Sequence, residues 1–124
     1  MTLAYWILFV MIFYPMVFAG IAKAGERRFN NNQPRNFLAS LTGYRQRANW
    51  VQENAYEGFA PFAAAIIIAH QLSVAQNQID GLAIAYLILR IIYGICYIAD
   101  LATLRSLVWM GSLGCVVALF ILAA

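Results

Sequence analysis

Leu3 to Ala22 is a run of twenty residues without a charge. At 1.5 Å per residue, a helix of that length covers about 30 Å, the thickness of a bilayer's hydrocarbon core. Three further apolar runs follow, expected as spans at about 46–72, 81–102 and 106–123 after a first span at about 3–22. Such a chain folds as an all-α membrane protein with four transmembrane helices, because a backbone in lipid must close its own hydrogen bonds. The composition agrees: 64% of residues are hydrophobic and 10% charged. Ordinary soluble domains are about half apolar and a quarter charged. The 124 residues suit one domain.

No basic region precedes the first run and no clear small-residue cleavage site follows it, so the first run is expected to stay as a span. Pro15 is expected to kink it, and Tyr5, Trp6 and Tyr14 include candidate interfacial anchors. The loop from Lys23 to Gly43 holds Gly25, the run Asn30 to Gln33, and Pro34, all opposed to helix. A short amphipathic piece is expected there around Phe37 and Leu38. Ser73 to Asp80 reads as a polar turn, and Thr103, Leu104 and Arg105 as part of a tight turn into the last span. Gly111, Ser112 and Gly114 offer small surfaces for close helix contact.

The formal net charge of +3 is not a nucleic-acid signal. Six of the eight basic residues fall between Lys23 and Arg47, the clustering that the positive-inside rule produces. Short connections make neighbouring spans antiparallel, so the bundle runs up-down-up-down. The 1–2 and 3–4 loops are then cytoplasmic and both termini lie on the other side. Compact loops and the lack of a targeting segment suggest a bacterial inner membrane. Cys96 and Cys115 sit in apolar runs without metal-ligand spacing, so no metal site is expected. His70 has no second ligand at a useful spacing and reads as interfacial.

Two polar faces interrupt this apolar pattern. Arg47, Asn54, Glu57 and Pro61 lie at i, i+7, i+10 and i+14 in the second span and share one helical face. Tyr86, Arg90, Tyr93, Tyr97 and Asp100 recur at spacings of 4, 3, 4 and 3 in the third. An arginine at mid-membrane depth costs about 2.5–3.5 kcal/mol unless paired or hydrated. Glu57 is the expected partner for Arg90. The topology brings Arg27, Arg28, Arg47, Asn54, Glu57, Tyr97 and Arg105 to one membrane face. Arginine forks there would bind carboxylates, while an asparagine and a glutamate would hold an amide and an ammonium. A nearby arginine would also lower a ligand thiol's pKa below its usual value of about 8.5. Taken singly, each of these residues has a bland reading as an ion pair, topology signal or packing group.

The pattern Arg47-Ala48, Gln52, Asn54, Glu57, Phe59 and Pro61-Phe62 resembles the second span of the MAPEG family, the membrane-associated proteins in eicosanoid and glutathione metabolism. Arg27-Arg28-Phe29, the set Arg90, Tyr93 and Tyr97, and the Arg105-Ser106 turn extend the resemblance along the whole chain. It implies a homotrimer with glutathione held between neighbouring subunits near the cytoplasmic face. It further implies that Arg27, Arg47, Gln52, Asn54, Glu57, Arg90, Tyr93 and Tyr97 bind glutathione, and that Arg105, assisted by Arg28, stabilises its thiolate. The partners would be membrane lipids, a second and third copy, and a lipophilic small-molecule electrophile. Trp50 stands where the family carries an arginine, and Arg105 is shifted by about one residue relative to Tyr97. Two other readings stay open: a non-catalytic trimer with a structural ion-pair network, and a small transporter subunit with Arg90 and Asp100 in its pathway.

Overall fold

The computed structural model describes residues 1–124 as five helices and no strand: α1 (Leu3–Lys23), α2 (Pro34–Ala39), α3 (Gly43–Gln71), α4 (Gln76–Ile98) and α5 (Ala102–Ala123). In α1, the residues Ala4, Ile7, Met11, Tyr14, Phe18 and Ala22 recur every three or four positions and are buried. The opposite face leaves Trp6, Phe9, Val10, Phe13, Met16 and Val17 exposed. α4 and α5 likewise expose isoleucines, leucines and valines. An apolar surface this continuous belongs in lipid or against another chain. α1, α4 and α5 are each long and apolar enough to cross a membrane. α3 has 29 residues, about 44 Å of helix, but its first half carries Arg45, Arg47, Glu53 and Glu57.

The four long helices alternate in direction. Thr2 Oγ1 and His70 Nε2 lie 2.9 Å apart, joining the start of α1 to the end of α3. Ala4 N–H donates to Asp80 Oδ1 at 2.9 Å, setting the start of α4 at that same end. At the other end, Arg45 Nη1 donates to the Ala22 carbonyl at 3.0 Å. Arg47 Nε and Nη2 donate to the Ile98 carbonyl at 3.3 and 3.0 Å. Both arginines thus meet the negative, C-terminal ends of their neighbours' helix dipoles. Phe37 and Leu38 of α2 are buried, so this short helix covers the bundle's end with the apolar face expected of it.

The helix ends differ from the expected turns. α4 begins at Gln76, ahead of the expected polar turn's end, because Gln76 Nε2 donates to Asp80 Oδ1 at 2.8 Å one turn on. Thr103, Leu104 and Arg105 are helical, since α5 already starts at Ala102. The reversal is compressed into Ala99–Leu101. Asp100 adopts φ 60°, Leu101 N–H donates to Cys96 O at 2.9 Å, and Asp100 N–H donates to Tyr97 O at 3.1 Å. That is a Schellman ending with aspartate in the left-handed position where glycine is commonest. α3 ends the same way around Ser73, at φ 58°.

Tyr14 is not an interfacial anchor. It is buried, and its hydroxyl donates to the Arg90 backbone carbonyl. Its helix passes α4 at Gly94, where a Cβ would lie 2.8 Å from Phe18 Cε1 and 2.9 Å from Tyr14 Oη. Only a glycine lets the two backbones come this close. Gly111 makes a similar, looser approach to Leu89, whereas Gly114 faces open space and packs against nothing in its own chain.

Candidate functional site

α3, α4 and α5 meet along a polar seam. At 100° per residue, Asn54, Glu57 and Pro61 fall on the α3 edge that faces α4 and α5, and Tyr86, Arg90, Tyr93 and Tyr97 on the answering face of α4. The Arg105 guanidinium lies 4.4 Å from the centre of the Tyr97 ring. Tyr97 meets Tyr93 edge-on at 5.5 Å, and Arg90 sits 4.4 Å from the centre of Tyr93. The result is a ladder of cation, ring, ring and cation along one side of α4 and into α5, each step attractive through the ring quadrupoles.

Three adjoining cavities open along this ladder, and Asn54 lines all of them. The outer one, about 300 Å³, is lined by Trp50, Glu53, Asn54, Glu57, Tyr93 and Tyr97. It therefore has two carboxylates, three aromatic rings and no cation. The second, about 350 Å³, joins Asn54, Tyr93 and Tyr97 to Arg105, Ser106, Trp109 and Met110. The inner one, about 170 Å³, reaches Arg90, Tyr86 and Ser112 behind Asn54 and Glu57.

Arg90 is 2% exposed, yet it does not pair with Glu57. The only ion pair in the chain joins Arg28 Nε to Glu26 Oε1 at 3.1 Å. Arg90 Nη2 instead donates to Asn54 Oδ1 at 2.7 Å. Asn54 stands one turn before Glu57 and meets the guanidinium first. The charge is then shared between that amide and the Tyr93 and Tyr14 rings, the latter centred 6.0 Å away. Glu57 is left exposed and without a partner in its own chain.

The remaining candidates are dispersed. Arg47 is turned away onto the Ile98 carbonyl. Gln52 lies two residues, about 200°, around α3 from Asn54 and so faces the opposite side. Arg27 and Arg28 are exposed in the loop after α1. The Arg28 side chain and backbone N–H both bond Glu26, which holds the Glu26 carboxyl down at about 2. That pair is intact above the ordinary carboxylate range and is lost only as pH falls through about 2. The residues missed by sequence reasoning are Glu53 and Trp109. Glu53 directly precedes Asn54, and Trp109 follows Arg105 by one turn, so helical spacing alone carried the signal.

Two acids, an amide, two tyrosines and an arginine along linked cavities suit a ligand with an ammonium, amide groups and an acidic thiol. No curated protein and no solved structure matches the chain. The sequence model of the MAPEG family matches residues 2–124, nearly its entire length. The chain therefore belongs to the MAPEG family, membrane proteins of glutathione and eicosanoid metabolism.

Proposed function

We propose that this protein is a four-span, homotrimeric membrane enzyme that binds glutathione in the two outer cavities and presents its thiolate to lipophilic electrophiles. The observation that carries this reading is the single cavity shared by Asn54, Tyr93, Tyr97 and Arg105. The Arg105 charge favours the thiolate over the thiol there, by the effect any cation has on a neighbouring titrating sulphur. Glu57 and Glu53 receive the ligand's ammonium, and the Trp50, Tyr93 and Tyr97 rings close around it. The polar half of α3 and the basic loop face the cytoplasm. Arg27, Arg28 and Gln52, which lie away from the cavities in one chain, reach the ligand's carboxylates from the neighbouring copy. Arg47 stays with the α4 terminus. In the reaction the thiolate's electron pair forms a carbon–sulphur bond, and the leaving group departs with the pair of the bond that breaks.

A second reading has its own support. Arg47 on Ile98 and Arg90 on Asn54 are contacts that hold helices together. On that reading the seam is structural and the trimer is not a catalyst. Titration calorimetry of glutathione into detergent-solubilised protein separates the two. Glu57→Gln is expected to weaken binding by about tenfold, the loss of one charge-assisted hydrogen bond. Unchanged binding in Glu57→Gln, with lost assembly, would favour the structural reading.

A further inference from the structure

The loop between α1 and α2 is folded, and it holds a pocket that lies apart from the seam. Phe29 meets Phe37 edge-on at 5.2 Å, and Phe37, Leu38 and Leu41 are buried in the same core as the long helices. The Lys23 ammonium sits 5.0 Å from the centre of the Phe29 ring. These contacts lay the loop down on the end of the bundle and so fix its depth. The 21 residues of α1 cover about 30 Å, the thickness of the hydrocarbon core, and each headgroup layer adds only about 5–7 Å. A loop that starts at Ala24 and packs back onto the helix ends therefore lies among the headgroups. Between Lys23 and Arg45 it carries five basic residues and one acid, Glu26. Basic clusters next to a span attract anionic lipids.

The pocket gives that attraction a definite seat. About 240 Å³ is lined by Arg28, Asn30, Gln33, Asn36, Phe37 and Ser40. Two of its amides have their oxygens engaged: Asn30 Oδ1 accepts the Asn32 N–H at 2.9 Å, and Gln33 Oε1 accepts from Asn36 Nδ2 at 3.1 Å. What Asn30 and Gln33 have left to offer is their NH2 donors. Arg28 spends Nε and Nη2 on Glu26, at 3.1 and 3.2 Å, which fixes the guanidinium and leaves Nη1 to donate. Three donor groups and no carboxylate in the lining suit a phosphate. Ser40 Oγ donates to the Phe37 carbonyl at 2.7 Å, so toward a ligand it can only accept, as from a hydroxyl. A headgroup ammonium is opposed by the loop's excess of cations, whereas a glycerol headgroup supplies the hydroxyl without that charge. We infer that this pocket seats the phosphate and glycerol of an anionic phospholipid in the leaflet that the basic loop faces. Arg28 is then committed to Glu26 and the lipid, and Arg27 is the loop cation left to reach a neighbouring copy's glutathione.

Native mass spectrometry of the detergent-solubilised full chain tests this, with dioleoylphosphatidylglycerol and dioleoylphosphatidylcholine as probes and no glutathione present. The fraction of chain that carries a lipid is followed as lipid is added, at about 0.15 M ionic strength. Phosphatidylglycerol should be held at least about tenfold more tightly than phosphatidylcholine, whose headgroup bears an ammonium and no hydroxyl. Gln33→Glu puts a carboxylate in the pocket in place of a donor and should weaken phosphatidylglycerol about tenfold, the worth of one hydrogen bond to a charged group. Arg35→Gln removes the same unit of charge from the loop but outside the pocket, and should cost no more than about threefold, as exposed and screened charges do. Both side chains are exposed, so neither variant should unfold the chain, and Asn30→Asp should repeat the Gln33→Glu result. Glycerol 1-phosphate, which has the phosphate without acyl chains, should displace the lipid only at far higher concentration. Equal retention of the two lipids, or equal losses in Gln33→Glu and Arg35→Gln, overturns the inference and leaves the loop with diffuse charge alone. Displacement by glycerol 1-phosphate at the lipid's own concentration also overturns it, and gives the pocket to a soluble anion.

Discussion

Arg105→Ala is expected to lower the rate of glutathione conjugation by about a hundredfold or more, the usual cost of removing one preorganised charge or donor from a developing anion. Arg105 lies 4.4 Å from the Tyr97 ring and lines the cavity shared with Asn54 and Tyr93. It is half-buried on the first turns of α5, and its side chain makes no hydrogen bond or ion pair to another element, resting only against the Tyr97 ring of α4. The variant should therefore fold and assemble normally. Its loss should appear in kcat, with a much smaller change in KM, because the interaction is strongest with the thiolate. Arg105→Lys should recover part of the rate, since a compact ammonium keeps the charge but not the planar fork. Stopped-flow measurement with a chromogenic nitroaryl halide reads all of this. A full rate in Arg105→Ala would remove the arginine from the chemistry.

Gly94→Ala should be the most damaging single-methyl change in the molecule. The added Cβ would overlap the end of the Phe18 ring and lie 2.9 Å from the Tyr14 hydroxyl oxygen. Phe18 and Tyr14 are both buried, so neither ring can swing aside without moving α1. Overpacking of this kind costs about 1–3 kcal/mol. It would also push on the Tyr14 hydroxyl that donates to the Arg90 carbonyl, and so disturb the α4 segment that carries the site. Thermal denaturation in detergent should show a clearly lower transition for Gly94→Ala. Phe18→Leu added to it should restore much of the loss, because it removes the ring atoms that collide. Gly114→Ala makes a control: nothing lies within 4 Å of its Cβ, and stability should not change. If Gly94→Ala and Gly114→Ala behave alike, α1 and α4 do not pack through Gly94.

Much of this molecule can be read from its residues because hydropathy and helical spacing act over short range. The uncharged run Leu3–Ala22 became a helix over nearly those limits, and the 4, 3, 4 spacing of Tyr86, Arg90, Tyr93 and Tyr97 did place them on one face. Asn54 and Glu57 lie in one seam for the same reason. What could not be read depends on long side chains and on backbone exceptions. Arg47 shares a helical face with Asn54, yet its flexible stem carries the guanidinium to the end of α4, where a carbonyl is free. Arg90 was expected on Glu57, but helical pitch puts Asn54 within 2.7 Å of it. The turns at Ser73 and Asp100 use left-handed residues that are not glycine, so no turn signal marked how tightly α4 and α5 are joined. Gln52 shows another limit: its place on the far side of α3 makes sense as a ligand contact only if a second copy is present.

On the proposed function, the seam between α3, α4 and α5 holds glutathione as a thiolate. The most direct measurement is the ultraviolet difference spectrum on adding glutathione to the detergent-solubilised wild-type protein near neutral pH. Free thiols titrate at about 8.5, so unbound glutathione contributes little thiolate there. A saturable thiolate band is expected, one that Arg105→Ala abolishes and that S-methylglutathione, which has no titrating sulphur, cannot produce. Glutathione that fails to bind, or that binds with its sulphur still protonated, would contradict it.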